Sequence, residues 1–161
     1  MKLPRPRILL ATTAAVVATG AIGAATGDFD SRWYRRLRKP SFQPSGLVFP
    51  LVWPVLYADI AVSSAAVLDA AGRAANKKAQ RSFAVALGVN LALNTAWTPL
   101  TTRGRRIWLS AAEAAVLAVS SWDLVRRARQ LEPKAAVALT PYAAWCTFAT
   151  VLSADLAHRN D

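Results

Sequence analysis

The chain has 161 residues, of which 54% are hydrophobic and only 18% are charged, and its formal net charge is +11. Soluble domains have about a quarter of their residues charged, so this composition argues against a soluble fold. The 20 Lys and Arg residues occur in short clusters separated by long apolar runs, which excludes the single basic face of a nucleic-acid binder and is typical of membrane spans with flanking loops.

The first apolar run, 8–27, follows a basic start that contains Lys2, Arg5 and Arg7. Signal peptides share this outline, but a run of about 20 residues is long for a signal core and long enough to cross a bilayer. We therefore predict a retained transmembrane helix. Alanines recur in it at three- and four-residue steps and form one flat face, which either packs inside the bundle or makes a dimer contact. These residues are Ala11, Ala14, Ala15, Ala18, Ala21 and Ala25.

A polar connection over residues 28–46 follows, and Pro40 and Pro44 exclude a continuous helix there. Four more apolar runs come after it, too long and too irregular in alternation for barrel strands. We predict an all-α fold, a single domain over 1–161 that forms a five-transmembrane-helix bundle. The predicted spans are 8–27, 47–70, 82–100, 107–125 and 135–157. Basic residues divide almost evenly between the two sides, so the pattern predicts no orientation.

Aromatic and amide side chains repeat at helical spacing on three of the predicted spans. They are Trp53 and Tyr57 on the second, Asn90, Asn94 and Trp97 on the third, and Tyr142, Trp145 and Ala149 on the fifth. One interpretation is an interfacial aromatic belt, with Asn94 in a structural interhelical hydrogen bond. The other is a shared pocket for a large flat apolar ligand, since a carboxamide within lipid has to pair or to face a cavity.

Asp59, Glu113 and Asp123 are carboxyl-bearing residues in or near the spans. Asp123 precedes Arg126 and Arg127 by three and four residues, which predicts an ion pair near the interface. Asp59 and Glu113 have no obvious partner, and ionisable groups within a span are candidate coupling groups of a transporter. The chain has one Cys and one His, with no metal-ligand spacing and no nucleophile–base set, so we predict no metal site and no conventional catalytic set.

Three segments resemble motifs of the tryptophan-rich sensory protein/translocator protein family (TspO/MBR). They are Trp-Tyr-Arg-Arg-Leu-Arg-Lys-Pro at 33–40 with Pro44, Val-Phe-Pro at 48–50, Trp53 and Leu-Tyr at 56–57; Leu-Asn-Thr-Ala-Trp-Thr-Pro at 93–99; and Pro-Tyr-Ala-Ala-Trp at 141–145. Their order and spacing cover nearly the whole chain.

The resemblance implies five transmembrane helices, usually dimeric, with a pocket that the first loop, 28–46, closes as a lid. It implies a porphyrin or haem ligand, with no required cofactor, and makes a tetrapyrrole-binding sensor, regulator or receptor the leading prediction. The expected ligand-binding residues are Trp33, Tyr34, Phe42, Trp53, Tyr57, Asn94, Trp97, Tyr142, Trp145 and Ala149.

The resemblance also leaves other functions open. One is a light-dependent porphyrin-degrading enzyme, with Trp53 and Trp145 as the candidate catalytic pair. Others are a small-molecule transporter and a structural protein that binds a partner. We expect a multi-pass protein in the cell membrane of a bacterium, a homodimer in contact with membrane lipid, and no nucleic-acid partner.

The chain departs from the family pattern in three places. Ser41-Phe42 stands where members often have a Trp pair, and Pro44-Ser45 stands where Pro-Pro is usual. These changes predict a lid with fewer aromatic rings. The segment 151–155 lacks the central Tyr of a sterol-type motif, so we predict no sterol binding through it.

Overall fold

A computed structural model describes residues 3–161, and over that range the chain forms six helices and no strands. The helices are α1 (Pro6–Thr26), α2 (Arg32–Arg36), α3 (Val48–Arg73), α4 (Lys77–Thr102), α5 (Ile107–Leu131) and α6 (Pro133–Arg159). All except α2 are long and apolar enough to cross a membrane. The predicted all-α fold with five spans is confirmed. Lys2, part of the predicted basic start, lies outside the described residues.

The spanning helices after α1 are longer than the apolar runs that predicted them. Helix α4 begins at Lys77 rather than near residue 82, and α5 continues to Leu131 rather than 125. A 26-residue helix is about 39 Å long, whereas the hydrocarbon core is about 30 Å thick. Hydropathy therefore detects only the middle of each helix, because the ends reach the headgroup region where Lys and Arg are stable.

Three prolines lie inside spanning helices: Pro54, Pro99 and Pro141. Proline within a helix commonly ends or bends it, but α4 continues beyond Pro99 to Thr102. The last turn keeps its bonds, because the Thr101 hydroxyl donates to the Trp97 carbonyl at 2.8 Å and the Arg103 N–H donates to the Pro99 carbonyl at 3.0 Å. Side-chain hydroxyls often supply such bonds around prolines in membrane helices.

The five spanning helices form a ring in the order α1, α3, α6, α5, α4, and α3 also contacts α4 and α5 across the interior. Many of the buried residues of α3 are small, which lets neighbouring backbones approach closely where lipid provides no hydrophobic drive for association. They include Ala61, Ser63, Ser64, Ala65, Ala66 and Ala71. The first loop, the α4–α5 turn and the C-terminus of α6 lie at one end of this bundle, and the α3–α4 and α5–α6 connections lie at the other.

Helix α1 is part of the ring and packs against its neighbours there. The buried Thr12 hydroxyl donates to the Ala61 carbonyl at 2.9 Å, and Val16 is buried in the core. Gly20 lies so close to Tyr57 that a Cβ there would sit 3.0 Å from a ring carbon. Through these contacts α1 packs as one of the five spanning helices that the sequence predicted.

The alanine face of α1 points away from the bundle. The six alanines of this face are all exposed, whereas Thr12, Val16 and Thr19 are the buried residues of this helix. The alternative in which the alanines pack inside the bundle is therefore wrong. The hydroxyl-bearing face is turned inward because, next to another helix, it gains the backbone acceptor that hydrocarbon lacks.

Candidate functional site

A chain of side-chain hydrogen bonds crosses the interior of the bundle. The Tyr57 hydroxyl donates to Asn94 Oδ1 at 2.8 Å, and Asn94 Nδ2 donates to the Tyr142 hydroxyl at 3.4 Å. The Tyr142 hydroxyl in turn donates to Asn90 Oδ1 at 2.8 Å. Tyr142 and Asn90 are fully buried. Three spanning helices, α3, α4 and α6, are therefore joined through polar atoms that lipid could not satisfy.

The chain ends on two consecutive serines of α5. Asn90 Nδ2 donates to Ser121 Oγ at 3.0 Å and to Ser120 Oγ at 3.2 Å. Both carboxamides are thus satisfied by protein groups. The sequence allowed two roles for Asn94, a structural hydrogen bond between helices or a contact with a ligand. The structure shows the hydrogen bonds between helices. The role of Asn94 in ligand binding stays a prediction.

Aromatic rings gather around the Tyr57 end of this network. Trp53 stacks obliquely on Tyr57, with ring centroids 5.2 Å apart. Trp145 contacts Phe49 at 6.0 Å and Phe148 at 5.5 Å between ring centroids. Trp53, Tyr57 and Trp145 all pack against the buried core. An aromatic belt facing lipid does not describe these three side chains, although Trp108, which is 53% exposed, fits that description.

The first loop lies over this end of the bundle and is attached on two sides. On the α6 side, the Arg38 N–H donates to Asn160 Oδ1 at 2.8 Å and Asn160 Nδ2 donates to the Arg38 carbonyl at 3.0 Å. The Phe42 ring lies 6.3 Å from the Phe148 ring. On the α4 side, the Asp28 N–H donates to Thr102 Oγ1 at 3.2 Å.

The short helix α2 was not predicted, although its start is legible in the sequence. Ser31 caps it by accepting a hydrogen bond from the Tyr34 N–H at 3.3 Å, and serine is a preferred residue at that position. The helix presents Tyr34 edge-on to Phe29, with centroids 5.2 Å apart, and Phe29 lies 6.5 Å from Trp97. Burial raises the pKa of the Tyr34 hydroxyl above its ordinary value.

Two of the predicted ligand-binding residues have few contacts within the site. The Trp33 ring lies 5.9 Å from the Arg105 guanidinium, at the α4–α5 turn. Within residues 3–161, its ring contacts none of the other aromatic residues that were predicted to bind the ligand. Ala149 is half-buried on α6, one turn beyond Trp145. The remaining predicted residues form the hydrogen-bonded chain and the surrounding aromatic contacts.

A carboxyl and an indole without protein partners lie near the covered end of the bundle. Within the described range, both carboxyl oxygens of Glu113 and the Nε1 atom of Trp97 are buried without a hydrogen-bond partner. The hydroxyls of Thr101 and Ser110 bond to each other, which fixes the register of the antiparallel helices α4 and α5. That register puts Glu113 and Trp97 at the same level, and polar groups left unpaired in this way are available to a ligand.

The other two carboxyl groups that the sequence singled out, those of Asp59 and Asp123, have protein partners. Asp123 pairs with Arg126 at 2.6 Å and with Arg127 at 2.5 Å, which confirms the predicted ion pair. Asp59 Oδ1 accepts a hydrogen bond from the Ser63 hydroxyl at 2.8 Å. Its other oxygen is buried and, among residues 3–161, has no partner.

Several residues at this end were missed by the sequence interpretation. Phe49 is four residues before Trp53, and Phe148 is three residues after Trp145, so helical spacing already put them on the same faces. Asn160 and Phe29 carried no comparable signal, because their partners come from distant parts of the chain.

Loosening the loop should be measurable without any ligand. Asn160→Ala removes both hydrogen bonds to Arg38, each worth about 1 kcal/mol. We expect amide hydrogen exchange in residues 28–46 to accelerate roughly tenfold or more. Asn76→Ala is the matched control, because it removes only a cap bond to Ala79 at the opposite end. Equal loop exchange in the two variants would show that Asn160 does not hold the loop.

Comparison with known proteins identifies a protein family that matches this chain. The sequence model of the TspO/MBR family matches residues 11–159. The uncharacterised membrane protein YtaB of Bacillus subtilis (strain 168) is 29% identical over 155 residues, covering 94% of this chain and 97% of the relative. A tryptophan-rich sensory protein of Cereibacter sphaeroides is 32% identical over 157 residues, covering 94% and 88%. The translocator protein of Homo sapiens is 32% identical over 125 residues, covering 76% and 71%.

Proposed function

This chain belongs to the TspO/MBR family and is a multi-pass integral membrane protein, and from that premise we propose that it is a sensor or regulator that binds a tetrapyrrole, porphyrin or haem, beneath its first loop. Relatives carry the names sensory protein and translocator protein. One observation carries the proposal: aromatic rings and an amide network face the interior at the end of the bundle that the loop covers.

In this proposal Trp53 and Trp145 offer ring faces to the macrocycle, as flat apolar ligands require. Asn94 offers a polar contact. Its bond to the Tyr142 hydroxyl is the longest link of the network, at 3.4 Å, and so the one most readily exchanged for a bond to a ligand. Tyr34 and Phe42 cover the ligand from the loop side, and Trp33, Trp97, Tyr57 and Ala149 complete the expected contacts.

A porphyrin titration tests this proposal. We expect saturable binding when protoporphyrin is added to purified protein in detergent and its absorbance shift is followed, a signal that does not depend on the number of tryptophans. Trp53→Phe/Trp145→Phe should weaken binding roughly tenfold, since each aromatic contact contributes about 0.5–1.5 kcal/mol. Trp108→Phe/Trp122→Phe, on the exposed surface, is the matched control and should bind as the native protein does.

The proposal fails if no saturable binding is seen, or if the Trp53/Trp145 variant binds as tightly as the control. Illuminating the same samples separates binding from porphyrin degradation. A new absorbance product that disappears with either Trp53→Phe or Trp145→Phe would indicate the light-dependent enzyme.

Transport is the second candidate function, and the buried carboxyl group of Glu113 favours it. A carboxyl that is buried in a membrane span without a protein partner is the kind of group that proton-coupled transporters use. Flux of porphyrin into proteoliposomes that depends on a pH gradient and falls with Glu113→Gln would support transport. Asp155→Asn, at an exposed ion pair on α6, is the control, and flux equal to that of empty liposomes would exclude this candidate.

We also propose that two copies associate through the alanine face of α1. The six outward alanines form a surface on which a second helix can approach closely. Ala14→Trp/Ala18→Trp should convert a two-chain mass in detergent to a one-chain mass, whereas Ala112→Trp, on the exposed surface of α5, should not. A one-chain mass for the native protein counts against the homodimer.

A further inference from the structure

A groove of about 760 Å³ lies between α4 and α5, near the end of the bundle opposite the first loop. It belongs neither to the network nor to the aromatic contacts described above, apart from Ser120, which lines its wall and accepts a hydrogen bond from Asn90. The groove opens on the outside of the bundle, where lipid surrounds the protein. The residues that line the groove are basic at one end and apolar at the other.

One end of the groove is strongly basic. Lys77, Lys78 and Arg81 line it at the start of α4, and none of the three forms an ion pair within residues 3–161. The carboxylate that also lines the groove, Asp123, already pairs with two arginines, Arg126 and Arg127. The local charge is therefore positive and uncompensated by the protein.

The other end of the groove is apolar. Val85 and Val89 line it and are 59% and 52% exposed, with Ala86 between them. At a rise of about 1.5 Å per residue they lie roughly 12 and 18 Å along the helix from Lys77. Because α4 is longer than the hydrocarbon is thick and begins with cationic residues, we place Lys77 and Lys78 at headgroup depth and the valines within the hydrocarbon.

We propose that this groove binds one anionic phospholipid, with its phosphate among Lys77, Lys78 and Arg81 and the upper part of an acyl chain along Val85 and Val89. A free phosphate would leave the valine-lined part unused, and a neutral lipid would leave the three cations uncompensated. A two-fold contact with a second copy through this face would bring like charges together. Basic pockets between spanning helices are suited to anionic headgroups for the same reason.

The test is lipid retention measured by native mass spectrometry of the full chain in mild detergent. The probes are phosphatidylglycerol, phosphatidylcholine with the same acyl chains, and glycerol phosphate. We expect one phosphatidylglycerol to be held at least about tenfold more tightly than phosphatidylcholine. Lys77→Gln/Lys78→Gln/Arg81→Gln should abolish that preference, whereas Arg32→Gln/Arg35→Gln/Arg36→Gln, which removes equal charge from exposed residues of α2, should keep it.

Three results would overturn the proposal: equal retention of the two lipids, equal loss in the two triple variants, and competition by glycerol phosphate as effective as by the intact lipid, which would indicate an anion site only. Lys78→Glu, a single change at an exposed residue, is the second variant should the triple variant not fold, and unchanged retention in it would count equally against the site. The proposed tetrapyrrole site lies at the other end of the bundle, so a failure of that proposal would leave this result unaffected.

Discussion

Replacing Arg5 and Arg73 together by glutamine is expected to lower the free energy of unfolding by about 3–5 kcal/mol. Both arginines bind Asp69, whose side chain is fully buried. The Arg5 Nε atom lies 2.5 Å from Asp69 Oδ1, and an Arg73 guanidinium nitrogen bonds to the other carboxylate oxygen. Without them the buried carboxylate loses both of its positive partners, which is the costly way to break a buried ion pair.

The same cluster joins the start of α1 to the end of α3. Gly72 leaves the space that the Arg5 side chain occupies, since a Cβ at that position would lie 2.6 Å from an Arg5 nitrogen. Unfolding in detergent, followed by circular dichroism against denaturant, measures the effect. Arg159→Gln is the control, because it breaks an exposed pair with Asp155 and should change stability by less than about 1 kcal/mol.

A third variant separates charge from packing. Adding Asp69→Asn to the double variant removes the buried charge, so most of the lost stability should return. If the double variant is as stable as Arg159→Gln, the carboxylate does not depend on its arginines and the cluster does not anchor α1. If the triple variant is as unstable as the double variant, the loss came from side-chain packing rather than from charge.

The positions of the spans could be predicted from the sequence, because transfer to hydrocarbon depends on local composition alone. The three sequence motifs also predicted the family, as the match over residues 11–159 confirms. Partners on other helices could not be predicted. Asp69 lay at the end of a predicted span and drew no attention, although Arg73 follows it by four residues, and Arg5 is 64 positions away. Which residues on different helices contact each other depends on the order of the helices around the ring, and hydropathy does not predict that order.

The same limit explains what was and was not foreseen at the candidate site. Helical spacing put Asn94 and Trp97 on one face of α4 and Tyr142 on a face of α6 with Trp145. It could not indicate that Asn94 bonds to Tyr142, or that the alanine face of α1 points outward. The short helix α2 was missed because five residues are too few for a periodic signal, so that only the Ser31 cap marked it.

Tyr142→Phe is expected to destabilise the bundle by about 2–4 kcal/mol, since it deprives two buried carboxamides of partners at once. Asn90 Oδ1 loses its donor and Asn94 Nδ2 loses its acceptor, and the lost hydroxyl belongs to a residue with no solvent-exposed surface. Tyr57→Phe is the matched control: it affects Asn94 alone, at a half-buried position, and should cost about 1 kcal/mol.

Removing the orphaned amide together with the hydroxyl should recover part of this loss. Tyr142→Phe/Asn90→Leu replaces both partners by apolar groups, which relieves the unpaired Oδ1, although Ser121 then loses its bond from Asn90 Nδ2. The coupling between the two substitutions, read from a double-mutant cycle, measures how strongly α6 is held to α4 through polar atoms rather than through packing. Equal losses for Tyr142→Phe and Tyr57→Phe would mean that the carboxamides find other partners, and that packing of small residues alone fixes the positions of these helices.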